Sequence, residues 1–224
     1  MQCLVLVLYI FDVSMCLLAI KRKNSHVYAA SKPFLMPLLL GVYFAVLPES
    51  LRHLGYQKYV VTALILHALG DTLLLFPRNR TKKFFYLGMF CFFVGHLFYS
   101  GWFIKAPVGH SARSALLALL VCLVLEYLLF RHLVLGPRNY APILVPYSFG
   151  LAMVAVSIAY TTGAGSPVYA TAISFCGIAL FAFSDFCIMR RLVRLPLFGQ
   201  LTVMSTYIAG QTLIVSGMIL LQIR

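Results

Sequence analysis

Long apolar runs, broken by short polar punctuation, set the reading of this chain. A hydrocarbon core about 30 Å thick is crossed by about 20 helical residues. With that ruler the runs predict eight spans, at roughly 2–20, 33–48, 60–76, 84–104, 113–130, 142–162, 168–189 and 200–222. The second is short, with Pro37 and Pro48 obscuring its ends, and the sixth opens on Pro142 and Pro146, which suit a first turn better than an interior. The connections are too short for a soluble domain or a low-complexity linker. The expected fold is all-α: one polytopic membrane domain over residues 1–224 with eight transmembrane helices.

Composition agrees. The chain is 62% hydrophobic and 10% charged, with a mean hydropathy of +0.95, whereas a soluble domain is closer to half apolar and a quarter charged. A net charge of +13 would suggest nucleic acid in a soluble protein, but here the basic residues cluster between apolar runs. That is the topology signal of a polytopic protein facing anionic leaflets, and no nucleic-acid partner is expected. All six cysteines lie inside apolar runs without paired short spacing, so they read as packing residues. The first run ends at Lys21-Arg22-Lys23 and lacks a basic start and a small-residue cleavage site, so it is expected to be a retained helix.

Lys and Arg sort between the two sides. The loops after spans one, three, five and seven take Lys21, Arg22, Lys23, Lys32, Arg78, Arg80, Lys82, Lys83, Arg131, Arg138, Arg190, Arg191 and Arg194, leaving Arg52, Lys58, Lys105, Arg113 and Arg224 for the other side. The positive-inside rule then makes those loops cytosolic and both termini lumenal or exoplasmic. Asn79-Arg80-Thr81 matches a glycosylation acceptor but falls on the wrong side to be used.

The carboxylates carry the candidate chemistry. There are five in the chain, and four lie inside spans. An ionisable group in a lipid-embedded helix costs about 3 kcal/mol even on insertion scales, which is why such groups mark pathways or sites. Asp71, Glu126 and Asp185 each sit five residues before the cytosolic end of a run or its first basic residue, about 7–8 Å inside the boundary. Asp12 lies deeper, without an evident partner. Gly70-Asp71 is followed one span later by Gly95-His96, and Ser184-Asp185 by Gly210-Gln211 at nearly the same distance. This suggests two parallel four-helix repeats, 1–104 and 113–224, that would bring the two aspartates face to face. Small-residue pairs are also common in membrane helices for packing reasons alone.

These residues resemble the YhhN-like lysoplasmalogenase family of polytopic membrane proteins. His67–Phe103 (HALGDTLLLFPRNRTKKFFYLGMFCFFVGHLFYSGWF) is similar to the family's G-D-x-x-L helix end, basic loop and G-H-x-x-Y helix. Phe181–Asp185 (FAFSD) is similar to its F-x-x-S-D segment, Tyr207–Ile214 (YIAGQTLI) to its Y-x-x-x-Q segment, and Lys32-Pro33 to its K-P entry. One departure is His67, four residues before Asp71, where the family often carries Ser.

The resemblance implies hydrolysis of the sn-1 vinyl ether of a lysoplasmalogen to a fatty aldehyde and a glycerophospho-alcohol. Enol ether hydrolysis begins with protonation of the β-carbon, giving an oxocarbenium ion that water captures and a hemiacetal that collapses to aldehyde. It needs a general acid that holds its proton near neutral pH, an anion facing the developing cation, and a positioned water. Asp71 and Asp185 supply the two carboxyl groups, and neither metal nor other cofactor is required. The depth of the two aspartates also suits a bond just below the headgroup.

Around them, Lys32 either anchors the interface or binds the substrate phosphate. His67, His96, Tyr99, Tyr207 and Gln211 either pack between helices or line the substrate cavity, and Glu126 either snorkels or joins them. His67 and Asp71 have a spacing that suits metal, but only His67 and His96 among the histidines lie inside spans, short of the three ligands a catalytic zinc takes. No Gly-x-Ser-x-Gly nucleophile motif occurs. The competing reading is a proton-coupled transporter or lipid-translocating protein using the same carboxylates; a structural membrane protein without a site is the third. The partners expected are the lysophospholipid and membrane lipids. The expected location is the endoplasmic reticulum in a eukaryote or the inner membrane in a bacterium.

Overall fold

The structure is a computed structural model. It describes residues 2–76, 82–134, 141–192 and 196–223, with the side chains of 82, 132–134, 141–146 and 192 left aside. The sequon Asn79-Arg80-Thr81 and the loop cations Arg78, Arg80, Arg138, Arg194 and Arg224 lie outside the described residues. All regular structure among the described residues is helical. Six of the helices are long and apolar enough to cross a membrane, which makes this a multi-pass membrane architecture. The helices under expected spans three and six are shorter: Gln57–Leu73 has 17 residues, and the described apolar part of the other is Tyr147–Tyr160.

The chain divides into two compact units, Met1–Trp102 and Phe103–Gln222. In the first, α1 (Gln2–Lys21) closes on Lys23, whose φ of 54° puts it in the left-handed region, while the Asn24 amide donates to the Ala19 carbonyl at 2.8 Å. This is the helix-ending geometry that satisfies orphan carbonyls. Asn24 then starts the next helix at once, its side chain accepting from the Val27 amide at 3.1 Å. That element runs from Ser25 to Val46 as α2 (Ser25–Ser31), a 3-10 turn (Lys32–Phe34) and α3 (Leu35–Val46).

The expectation that span two begins at residue 33 is therefore corrected: the helix begins at Ser25. Pro33 does not start it, because the proline sits in the first positions of the 3-10 turn, where its missing N–H is tolerated. Lys32 consequently lies inside the element, buried, rather than at its entrance or in a cytosolic loop.

After the short α4 (Glu49–Arg52), α5 (Gln57–Leu73) packs on α3 and is followed by α6 (Lys82–Lys105). α5 stops short of the apolar run's end at residue 76. The Thr72 hydroxyl bonds back to the Ala68 carbonyl at 2.8 Å, and Phe76 precedes Pro77, a position from which helical backbone is disfavoured. α5 and α6 meet closely because α6 presents glycines: a Cβ at Gly95 would fall 2.5 Å from His67 Nε2. Small residues at such crossings let membrane helices approach.

In the second unit α7 (Ala112–Val134) packs on α8 (Ala141–Tyr160), and α8 on α9 (Val168–Leu192). α9 lies tightest against α10 (Gln200–Gln222), where a Cβ on Gly210 would fall 2.9 Å from the Gly177 carbonyl. The Ser184 hydroxyl ties the same pair by donating to the Val203 carbonyl at 2.9 Å. α7 turns Leu116, Leu117, Leu120, Val124 and Leu128 outward, an apolar face that suits lipid.

Candidate functional site

In the first unit the polar positions converge on a buried charge pair. Lys32, on the 3-10 turn, places its ammonium 3.1 Å from Asp71 Oδ1 on α5, with side chains 8% and 2% exposed. Two charges taken out of water are tolerable only when paired at close range, because removing one partner strands the other. Tyr28, one turn earlier on α2, sets its ring centroid 6.0 Å from the same ammonium, within cation–π range. Cys16 of α1 lies within electrostatic reach of both Lys32 and Asp71.

The helical repeat stacks His67 one turn above Asp71 on the same face of α5. Its buried ring lies 5.1 Å from His96 and 5.0 Å from Tyr99, centroid to centroid, both on α6, and stacks on Phe92 at 5.2 Å. Lys32, His67, Asp71, His96 and Tyr99 thus share one interior. Among the described residues no group of three His, Cys, Asp or Glu side chains is placed to hold a metal ion.

In the second unit Asp185, on α9, accepts a hydrogen bond from the Tyr147 hydroxyl of α8 at 2.8 Å and is half-buried. Tyr147 was not among the residues singled out from sequence. A tyrosine in an apolar run carries no periodic signature, and its proximity to Pro146 reads first as helix-start chemistry. Glu126 of α7 accepts from the Ser148 hydroxyl of α8 at 2.7 Å, which ties α7 to α8 through a polar contact inside an apolar interface. Tyr207 and Gln211 are buried on α10, one turn apart, and the Tyr207 ring meets Phe181 edge-on at 5.4 Å. The half-buried Asp12 of α1 has a carboxyl oxygen, Oδ2, without a hydrogen-bond partner among the described residues.

A family model, the YhhN family, matches residues 27–218. The chain belongs to the YhhN family. This is the family of lysoplasmalogenases, so the resemblance read from the sequence is borne out over most of the chain. No curated protein and no solved structure matches it. Within the YhhN match lie both aspartates, Lys32 and every other site residue singled out from sequence, while Asp12 and Cys16 fall before it. The YhhN-like K-P dipeptide at Lys32-Pro33 acquires a physical meaning. Proline accepts the 3-10 turn, and the turn carries a buried lysine to the G-D aspartate of α5. At the YhhN-like G-H-x-x-Y segment, Gly95 makes room for His67, while His96 and Tyr99 contact its ring.

Proposed function

We propose that this YhhN family member is a membrane hydrolase that cleaves the sn-1 vinyl ether of lysoplasmalogens, releasing a fatty aldehyde and a glycerophospho-alcohol. The observation that carries the reading is the buried Lys32–Asp71 pair, in a chain whose family is associated with that activity. An ammonium 3.1 Å away keeps an anion at Asp71, and an anion fixed in a low-dielectric interior stabilises a nearby developing cation without reorganising. The oxocarbenium ion formed by β-carbon protonation is such a cation. Lys32 in this reading serves to hold Asp71, and its remaining N–H donors are the ones available to a substrate phosphate.

Asp185 is the candidate acid. Tyr147 donates to its Oδ2, which orients the carboxyl group that carries the proton. The proton moves to the vinyl β-carbon, water adds to the α-carbon, and the proton that water releases returns to the carboxylate. The hemiacetal then breaks its C–O bond to the glycerol oxygen, which takes up the proton that the hemiacetal hydroxyl loses as it becomes the aldehyde, so water is consumed and no net proton is. In the first unit His67, His96 and Tyr99, and in the second Tyr207, Gln211 and Glu126, are proposed as the substrate-binding residues of their units.

The test is substrate choice. Because the first step protonates a vinyl carbon, an alkyl-ether lysolipid of equal chain length is expected to bind and compete without being cleaved. The ester analogue is expected to turn over poorly, since no nucleophile motif is present. Purified protein incubated with each lipid and assayed for aldehyde, fatty acid and glycerophospho-alcohol reads all outcomes. Rapid fatty acid release from the ester would replace the reading with a lysophospholipase.

The finer topology belongs to the same proposal. Eight crossings, with the loop at 77–83 cytosolic and both termini lumenal or exoplasmic, follow from the distribution of Lys and Arg. Cysteines placed at Asn79 and Ser166 are expected to label from opposite sides of a sealed membrane, position 79 from the cytosol. Labelling of both from one side overturns the map.

A further inference from the structure

At the other end of the first unit, a cleft of about 590 Å³ opens between the first turns of α1 and the last turns of α3. Val5, Gly41, Phe44 and Ala45 wall it, Gln2 and Arg52 edge it, and most of its surface is apolar. Lys32 and Ala45 are thirteen residues apart along one helical element, about 20 Å at 1.5 Å per residue. The cleft is therefore separate from the Lys32–Asp71 pair.

Its mouth carries a cation, Arg52. Arg52 is half-buried and its Nε donates to the Leu47 carbonyl at 2.9 Å, which fixes the plane of the guanidinium. No carboxylate among the described residues lies within ion-pair distance of it, and Glu49, on the same short helix, is exposed. A guanidinium held by one edge still presents its terminal N–H groups as a fork, the geometry that grips a phosphate. Next to it, an apolar trough runs along two membrane-length helices. A cation above and an apolar channel below complement a phosphate carrying a hydrocarbon chain, and a free inorganic anion would leave the trough unused.

We propose that this cleft binds one glycerophospholipid, its phosphate on Arg52 and the upper part of one chain between α1 and α3. The inference stands independently of the hydrolase reading, because nothing in it uses Asp71 or Asp185.

A photoactivatable lysophosphatidylglycerol, with a diazirine near the carbonyl end of its chain, tests it on the full chain in detergent. Crosslinks mapped by peptide mass spectrometry are expected at residues 2–5 and 41–45. Arg52→Gln is expected to reduce them about tenfold, the loss of one charge-assisted contact, with Arg52→Lys intermediate. Cys3→Trp, which fills the rim at an exposed position, is expected to reduce them with Arg52 intact, so the test survives if Arg52→Gln misfolds. A monoacylglycerol probe of the same chain is expected to crosslink weakly, and millimolar inorganic phosphate to compete poorly. Crosslinks absent from these residues overturn the proposal. So do crosslinks undiminished in both Arg52→Gln and Cys3→Trp, equal labelling by the uncharged probe, or full competition by free phosphate. Asp185→Asn, which is expected to keep near-native stability, is expected to leave this labelling unchanged whether or not aldehyde release is ever observed.

Discussion

Asp185→Asn lowers aldehyde release from a lysoplasmalogen by at least about a hundredfold, while leaving the melting temperature in detergent near that of the native chain. Asn keeps the shape of the side chain and an oxygen that accepts from Tyr147, so the α8–α9 contact at 2.8 Å survives. What it removes is the acidic proton. General acid catalysis is worth about 10²–10⁴-fold, and protonation of carbon, slower than protonation of oxygen, places the reaction at the demanding end. Tyr147→Phe should cost less, because the carboxyl group remains and only its orientation loosens. Glu126→Gln should cost less again, since the amide still accepts from Ser148. Rates come from aldehyde trapping under saturating lipid, and stability from thermal scanning of the same preparations. Near-native aldehyde release by a well-folded Asp185→Asn protein would remove Asp185 from the chemistry.

The all-helical membrane architecture and the family were legible in the sequence because both rest on strong, redundant signals. Apolar length is read from about twenty residues at a time, and the YhhN-like segments retain their order along the chain. What was not legible turned on single residues. Pro33 looks like the start of a span, and only the preceding Asn24 cap and the 3-10 turn explain why the helix begins eight residues sooner. That shift moves Lys32 from an interfacial cation to the buried partner of Asp71. Both residues were identified as candidates, yet their pairing depends on how α3 and α5 pack, which no spacing encodes. Glu126 and Asp185 were found by depth, whereas their donors Ser148 and Tyr147 were not, because hydroxyls are unremarkable in apolar helices until their acceptors are seen. The end of α5 was missed by three residues because apolar runs continue past helix ends when a proline follows.

The buried pair makes a sharper prediction than either charge alone. Lys32→Met removes the ammonium and leaves Asp71, whose side chain is 2% exposed, without its counter-charge. Breaking a buried ion pair from one side costs about 3–5 kcal/mol, whereas replacing both members with uncharged residues is often close to neutral. Asp71→Asn strands the ammonium in the same way. Each single variant is therefore expected to melt several degrees below the native chain, and Lys32→Met/Asp71→Asn to recover most of that loss. A coupling of this sign and size is what adjacent, interacting residues give and independent ones do not. Melting can be followed with a thiol-reactive dye, since Cys16, Cys91 and Cys187 are buried until unfolding. Activity should separate from stability in the same set: the double variant is expected to be stable and, having lost the anion that faces the developing cation, to release aldehyde no faster than about one-hundredth of the native rate. A stable double variant with native turnover would make the pair a structural clasp and move the chemistry elsewhere. Additive destabilisation, with no recovery in the double, would mean that Lys32 and Asp71 are not held together as the 3.1 Å contact requires.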